Sequence, residues 1–107
     1  MKWSIEYLEA ADAELEALPP SLRARLARLV DMAQTLGLEN IRPPHVRQVE
    51  GEIWELRAKS ADGIARAFYV TATGRRAIIV HAFAKKSEKT PRSALTLAKA
   101  RAKELLK

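Results

Sequence analysis

Three apolar segments separated by short turn signals occupy residues 53–84, and they restrict the fold more than any other feature. Residues 53–57 alternate apolar and charged side chains as a half-buried strand does, and residues 64–70 form a second predicted strand. Residues 77–84 are an almost uninterrupted apolar run, which predicts a strand covered on both faces. Because the intervening turns are short and contain glycine, we expect an antiparallel meander.

The flanking sequence predicts one further strand and three helices. Residues 3–7 alternate as a strand does, and residues 8–18 are helix formers with one apolar face. Pro19-Pro20 ends this helix, and Thr90-Pro91 predicts the start of a final alanine-rich helix. Between them a second helix starts at Pro20, is capped by Gly37, and has an apolar stripe of Leu22, Leu26, Leu29, Val30 and Ala33.

The predicted fold class is therefore α+β, in the order β-α-α-β-β-β-α, as a single domain over residues 1–107. The two N-terminal helices form a hairpin whose apolar side covers the face of the antiparallel sheet that includes Trp54 and Leu56. Part of the opposite face is left to carry Arg57 and Arg66.

Several classes of protein are excluded by composition. The chain has no cysteine, which excludes disulfides and thiolate chemistry, and its two histidines, His45 and His81, are too few for a structural zinc site. The N-terminus lacks the apolar core of a signal peptide, and no apolar run approaches the roughly 20 residues that cross a bilayer. We expect a cytoplasmic protein with no membrane association, no metal and no small-molecule cofactor.

The positive charge is concentrated at one end of the chain. The net charge is +6, and residues 75–107 contain ten Lys/Arg against two Asp/Glu. A cationic segment on an otherwise mixed chain favours a polyanionic partner such as nucleic acid, because Lys/Arg clusters release counterions from phosphates. The alternative interpretation is a basic helix that only maintains solubility.

Cations on or beside the predicted strands are the candidate functional residues. Strands hold a side chain firmly, so Arg57, Arg66, His81 and Lys85 are the candidate catalytic residues. The adjacent pair Lys85-Lys86 would be repulsive unless an anion binds between the two charges. We predict nucleic-acid contacts for the remaining basic residues of this region: Lys86, Lys89, Arg92, Arg75 and Arg76.

Each candidate also has a purely structural interpretation. Arg57 fits an ordinary cross-strand ion pair, and His81 lies in the most apolar strand, where a hydrogen-bonded core histidine is common. Arg66 shares a face with apolar side chains, so it is either the rim of the core or a cation held for function. Arg75 and Arg76 lie in a turn, where solvated charge is routine.

The chemistry that such residues support is transesterification of RNA. No glycine-rich phosphate loop, Cys/His pair or serine triad pattern is present in the sequence. In RNA the substrate's own 2′-hydroxyl attacks the neighbouring phosphorus, so a protein needs to orient the chain, stabilise charge on the phosphorane and transfer two protons. Arginine and lysine stabilise that charge, and His81 or a lysine among other cations can transfer a proton, with no metal required.

One series of short motifs resembles the RelE/ParE toxin superfamily, in particular the phage-derived-protein branch often called HigB-like. The resemblance covers essentially the whole chain, and its specific part lies between residues 55 and 91. That part consists of Glu55-Leu56-Arg57, Arg66-Ala67-Phe68-Tyr69, His81-Ala82-Phe83-Ala84-Lys85-Lys86 and Lys89-Thr90-Pro91.

The resemblance implies a RelE-like fold and the toxin of a type II toxin–antitoxin system. Such a toxin enters the ribosomal A site and cleaves mRNA there, which inhibits translation. Its partners are the ribosome, mRNA and a cognate antitoxin, typically a helix-turn-helix protein. Arg66 matches the family arginine that contacts the scissile phosphate, Arg57 matches the basic character before it, and Lys85-Lys86 match the basic position after the last strand.

The sequence departs from the family in its proton-transfer residues. The best-studied members have lysines where this chain has Ile53, Trp54 and Glu55, and their C-terminal tyrosine has no counterpart among residues 87–107. His81 or Lys85 would take those roles. Two alternatives stay open: a ParE-type toxin that inhibits DNA gyrase without cleaving RNA, and a non-catalytic basic module that binds RNA or an acidic protein.

Overall fold

A computed structural model of the protein describes residues 2–86 and 89–105. Its class is α+β, as predicted. The longest helix has 17 residues, and no helix in the described part of the chain combines the length and the apolar character needed to span a membrane. The elements are β1 (Ser4–Tyr7), α1 (Glu9–Glu16), α2 (Pro20–Leu36), a 3-10 turn (Leu38–Asn40), β2 (Val46–Glu50), β3 (Ile53–Ser60), β4 (Gly63–Ala72), β5 (Arg76–Lys85) and α3 (Arg92–Leu105).

The five strands form one sheet in the order β1-β5-β4-β3-β2. β2 to β5 are an antiparallel meander, and β1 pairs with β5 in parallel. The predicted meander of three strands therefore has a fourth member, β2. Its sequence, Val46-Arg47-Gln48-Val49-Glu50, lacks a clean period of two, because the strand register shifts at a bulge between Gln48 and Glu50.

The helical hairpin covers one face of the sheet, as the sequence predicts. Leu22 and Leu26 of α2 are fully buried, and they share an apolar cluster with Leu56 and Tyr69 of the sheet. Trp54 lies on the same face but is 36% exposed, since it faces a shallow cavity near β2 rather than the helix. This face is the larger of the two cores.

Helix α3 covers only part of the opposite face. Four of its side chains, Ala94, Leu95, Ala98 and Ala102, pack over an apolar area formed by Ile53, Phe68, Val70 and Val80. The remainder of this face is polar and lies beside the segment that leads into α3. The opposite face thus divides into an apolar area under the helix and a charged area at its N-terminal end.

The turn between β3 and β4 requires glycine. Gly63 has φ of +125°, and a Cβ atom at this position would lie 2.9 Å from the backbone oxygen of Lys85. The missing side chain therefore lets the end of β5 approach the start of β4 closely, which fixes Lys85 relative to the sheet.

We expect the Gly63→Ala variant to lose about 1–3 kcal/mol of unfolding free energy, because the backbone is strained and the Lys85 carbonyl must shift. Chemical denaturation measures the loss. Gly51→Asn is the matched control, since Gly51 has φ of +56° with no atom within 4 Å of an added Cβ, and asparagine tolerates this conformation at a cost below about 1 kcal/mol. Equal losses in both variants would contradict the close-contact explanation.

Candidate active site

Three arginines surround one buried glutamate on the charged part of the sheet. The strand register brings them together: Arg47 of β2 lies opposite Glu55 of β3, and Arg57 of β3 lies opposite Arg66 of β4. Because side chains alternate along a strand, Glu55 and Arg57 point to the same face, and their cross-strand partners point there too. We call this set the Glu55 cluster.

The distances show that the carboxylate of Glu55 is the centre of the cluster. Arg47 Nε donates to Glu55 Oε1 at 2.7 Å, and Arg57 Nε lies 4.0 Å from the same oxygen. Arg66 Nη1 lies 4.0 Å from Glu55 Oε2. Both Glu55 and Arg66 have fully buried side chains, whereas Arg47 is 41% exposed. Arg66 therefore lies inside the protein beside a counter-charge, and not on the rim of the core.

The hydroxyl of Thr90 is a shared acceptor for two of these arginines. Arg66 Nη1 donates to Thr90 Oγ1 at 3.0 Å, and Arg47 Nη2 donates to the same oxygen at 3.2 Å. Helix α3 begins two residues later, where Leu95 N donates to the Pro91 carbonyl at 3.2 Å. Thr90 thus links the start of α3 to the Glu55 cluster.

Within the described residues, three guanidinium groups face the Glu55 carboxylate, and Glu55 Oε2 is buried and accepts no hydrogen bond. Guanidinium groups bind phosphate with paired N–H donors. The cluster is therefore a candidate site for a phosphate group.

An aromatic row borders the cluster. Phe83 of β5 lies opposite Arg66 in the strand register and is half-buried. Its ring stacks on His81 with centroids 5.1 Å apart, and it meets Phe68 edge-on at 5.2 Å. An aromatic ring beside fixed arginines is suited to stacking against a nucleobase next to a bound phosphate.

His81 is oriented by a carboxylate from the other side of β5. Its Nδ1 lies 2.9 Å from Glu14 Oε1 of α1, and the same oxygen accepts hydrogen bonds from the Ala82 amide at 3.1 Å and from Arg101 Nη1 at 2.9 Å. Arg101 also donates to the Val80 carbonyl at 2.8 Å. The histidine ring is therefore fixed at Nδ1, and Nε2 makes no hydrogen bond with another described residue.

Opposing effects set the pKa of Glu14. Burial of the carboxylate favours the neutral acid, but the hydrogen bonds from Arg101, His81 and the Ala82 amide outweigh it and lower the pKa of Glu14 from its ordinary value of 4.5. Glu14 is therefore ionised at neutral pH, and it joins α1, β5 and α3 through charge-assisted hydrogen bonds.

The structure brings some of the predicted site residues together. Arg57 and Arg66 are adjacent in the cluster, and Lys85 lies on the same face, two register pairs beyond Phe83. Lys85 and the following Lys86 are exposed at the end of β5. The site assignments themselves stay predictions.

Other predicted RNA-binding residues lie elsewhere. Arg75 and Arg76 are at the opposite end of β5 from Lys85, about 30 Å away at the usual rise per residue. Arg75 Nη1 lies 3.2 Å from Glu39, and Arg76 Nε lies 2.6 Å from Glu6. Their ion pairs fit the structural interpretation of these two residues.

The basic residues before and in α3 are also outside the cluster. Arg92 Nη1 lies 3.1 Å from Oε1 of Glu50, the last residue of β2. Lys89 is exposed in the segment that precedes α3. Among the described residues, no group of three or more His, Asp or Glu side chains is placed to hold a metal ion.

The sequence pattern does not identify the residues around which the cluster is arranged. Arg47 lies on β2, which the pattern does not predict, and alternation gives Glu55 a face but not its burial. Thr90 is predicted only as a helix cap. Glu14 lies 67 residues from His81 in the chain, and only the packing of α1 against β5 brings them together.

The comparison with known proteins gives a family and a fold. The family model described as Phage derived protein Gp49-like matches residues 13–103. No curated protein matches the chain. A mutant of the Escherichia coli toxin RelE in the free state is similar with a TM-score of 0.69 and 14% sequence identity, over 94% of this chain and 98% of that chain.

Two complexes of related toxins are also similar in structure. The toxin–antitoxin complex RelBE2 from Mycobacterium tuberculosis matches with a TM-score of 0.60 and 12% identity, over 79% of this chain and 100% of that chain. The archaeal RelE–RelB complex from Pyrococcus horikoshii OT3 matches with a TM-score of 0.56 and 15% identity, over 83% and 100%. At these identities the likeness shows the RelE fold, as the resemblance predicted.

Replacing Glu55 by glutamine tests whether its charge holds the cluster together. We expect the Glu55→Gln variant to lose roughly 3–5 kcal/mol of unfolding free energy, because buried Arg66 keeps its charge without the carboxylate. Chemical denaturation measures the loss, and Glu6→Gln, which breaks the exposed pair with Arg76, serves as a control with little expected change. Wild-type stability in Glu55→Gln would show that the carboxylate is not the charge partner of the arginines.

The Glu14 network predicts a pH-dependent contribution to stability. Because the folded-state pKa of Glu14 is lowered, its ionisation stabilises the protein above about pH 4.5, and this contribution is lost as the pH falls through the folded-state value. We expect Glu14→Gln to lose roughly 1–3 kcal/mol at neutral pH, and the difference from wild type to shrink in acid. Denaturation curves at neutral and acidic pH measure it; a pH-independent difference would contradict the role of the charge.

Proposed function

The chain belongs to the Phage derived protein Gp49-like family, and from this premise we propose that it is a type II toxin that cleaves mRNA on the ribosome. Its RelE fold supports the toxin role, since the similar structures are named as RelE toxins and toxin–antitoxin complexes. The proposed partners are a cognate antitoxin, of the helix-turn-helix kind, together with the ribosome and mRNA in the cytoplasm.

The observation that carries this proposal is the Glu55 cluster. In RNA transesterification the 2′-hydroxyl attacks the adjacent phosphorus, and negative charge accumulates on the non-bridging oxygens of the phosphorane. Fixed guanidinium groups stabilise that charge without reorganising, typically by a few kcal/mol per donor. Arg57 and Arg66 supply such donors, and Glu55 keeps both in place from within 4.0 Å.

In this proposal the phosphate binds where the Thr90 hydroxyl lies. Thr90 Oγ1 accepts hydrogen bonds from Arg66 and Arg47, as a phosphate oxygen would from two guanidinium N–H groups. Because Arg66 is fully buried, the proposal requires the segment around Thr90 to move before substrate reaches the arginine. In the proposed mechanism the scissile phosphate replaces the Thr90 hydroxyl.

Proton transfer is assigned to His81 and Lys85. With Nδ1 of His81 held by Glu14, Nε2 is the nitrogen that exchanges a proton with the substrate, in the way carboxylate-oriented histidines work in other enzymes. Lys85 lies on the cluster's face beyond Phe83, where its ammonium can protonate the leaving 5′-oxygen or neutralise it. Phe83 supplies a surface for one of the two bases that flank the phosphate.

A reconstituted translation assay tests the proposal. We expect purified wild-type protein to generate cleaved mRNA on stalled ribosomes, and Arg57→Ala to reduce the cleavage rate by about 10²–10³-fold through loss of one charge-stabilising donor. Lys85→Ala should also lower the rate while the protein stays folded. Primer extension on the mRNA measures cleavage, and circular dichroism measures folding.

Lys2→Ala is the matched control, because Lys2 is an exposed lysine of the N-terminus outside the cluster, and it should cleave at the wild-type rate. If the mRNA stays intact and gyrase is trapped on broken DNA, the protein is a ParE-type gyrase inhibitor and not a nuclease. Cleavage that survives Arg57→Ala unchanged would remove the Glu55 cluster from the reaction.

A further inference from the structure

A groove between α2 and β3 is lined by cations that have no acidic partner in the described part of the chain. It has a volume of about 220 Å³, and its rim includes Arg25, Arg28 and Lys59. None of these three has an ion pair with another described residue. In contrast, the chain's acids neutralise cations elsewhere on the surface, as in the pairs Arg23–Glu16, Arg75–Glu39, Arg76–Glu6 and Arg92–Glu50.

The floor of the groove is apolar. α2 has a second stripe of side chains at helical spacing, in which basic residues lie next to apolar ones. It consists of Arg25, Arg28, Leu29 and Met32. Met32 is 40% exposed, although Leu29 beside it is buried. Ala58 of β3 closes the floor from the sheet side. The groove therefore offers apolar contact along its base and positive charge along its edges.

An unpaired sheet edge runs along the groove. β2 pairs with β3 up to the opposition of Val46 and Leu56. Beyond that pair, Arg57 N donates to the His45 carbonyl at 2.9 Å, and the Arg57 carbonyl lies 3.3 Å from His45 Nδ1, so His45 occupies both outward backbone groups of Arg57. Backbone groups alternate in direction along a strand, so the N–H and C=O of Lys59 point outward like those of Arg57. Within the described residues no strand pairs with this stretch on that side.

We propose that this groove binds an extended, acidic segment of a protein partner. The open backbone edge pairs with a peptide, the apolar floor takes alternate apolar side chains, and the cations pair with acidic side chains between them. A peptide is favoured over RNA because the floor is carbon and the edge presents peptide hydrogen-bonding groups, neither of which matches a sugar-phosphate chain. Identifying this partner as the antitoxin rests on the toxin function proposed above. The proposal that the groove binds an acidic peptide does not depend on that function.

The groove is separate from the Glu55 cluster. Arg25, Arg28 and Met32 belong to α2, on one side of the sheet, whereas the cluster lies on the face that carries α3. Lys59 alternates with Ala58 along β3, so it borders the groove at the edge of the sheet. Changes to Arg25 and Arg28 should therefore alter partner binding without altering RNA cleavage. This separation makes the two proposals independently testable.

Fluorescence anisotropy with a labelled peptide of alternating Glu and Val tests the proposal on the whole protein. We expect Arg25→Glu combined with Arg28→Glu to weaken peptide binding by at least about tenfold, because attraction becomes repulsion at the rim. Lys2→Glu combined with Lys103→Glu changes the net charge equally at exposed sites away from the groove, and it should weaken binding far less. Met32→Glu, which alters the floor without touching the arginines, is a second variant that should also weaken binding.

Hydrogen exchange supplies the geometric readout. The amide of Lys59 should exchange more slowly when the peptide is bound, as a newly paired edge requires. Equal weakening in both double variants, or unchanged exchange at Lys59, would overturn the proposal. So would tighter binding of a short polyuridine oligonucleotide at the same residues, or concentration-dependent dimers that occupy the groove. If the wild-type protein binds the peptide but does not cleave mRNA, the result counts against the proposed toxin function and not against the groove.

Discussion

The attraction between the Glu55 carboxylate and three guanidinium groups is the interaction on which the rest of this face depends. A fully buried arginine such as Arg66 is tolerated only beside a counter-charge, and Glu55 supplies it within 4.0 Å. The same carboxylate fixes Arg47 of the edge strand at 2.7 Å, so the cluster joins β2, β3 and β4 electrostatically where their apolar contacts end. Charge that holds the strands together also prepares the surface for an anion, which is why structure and proposed function use the same side chains.

The two helical layers cover their faces of the sheet to different extents. α1 and α2 pack on one face and bury the larger core, whereas α3 covers only part of the opposite face. The Glu55 cluster lies on the uncovered part, at the N-terminal end of α3. Glu14 connects the two layers around the edge of β5, because it binds His81, the Ala82 amide and Arg101 of α3 at once. β1 pairs with β5 only from Arg76 to Ile79. Beyond Ile79, the Glu14 carboxylate accepts the hydrogen bond of the Ala82 amide, which no strand pairs on that edge within the described residues.

Much of the fold was predictable because it follows from local patterns. Local patterns predict the helices and three of the meander strands correctly. These patterns are the alternation around Leu56, the apolar stripe of α2 and the proline pair at the start of α2. The pattern does not predict β2, because a bulge between Gln48 and Glu50 breaks the alternation of this edge strand. For the site, the sequence identified Arg57 and Arg66 as neighbours on one face, but not that Glu55 is buried between them. Alternation gives the face of a residue, whereas burial depends on what packs above it. The sequence pattern does not show that Thr90, 24 residues after Arg66 in the chain, hydrogen-bonds to the cluster.

In the proposed mechanism, the two hydrogen bonds to Thr90 make exposure of Arg66 a conformational equilibrium of the polypeptide itself. Since Thr90 lies two residues before α3, its displacement also disturbs the attachment of that helix to the sheet. On that proposal, the apparent affinity for RNA equals the intrinsic affinity multiplied by the fraction of open conformers. Side chains remote from the Glu55 cluster, such as the alanines that pack α3 on Phe68 and Val80, then influence the concentration at which the proposed toxin acts.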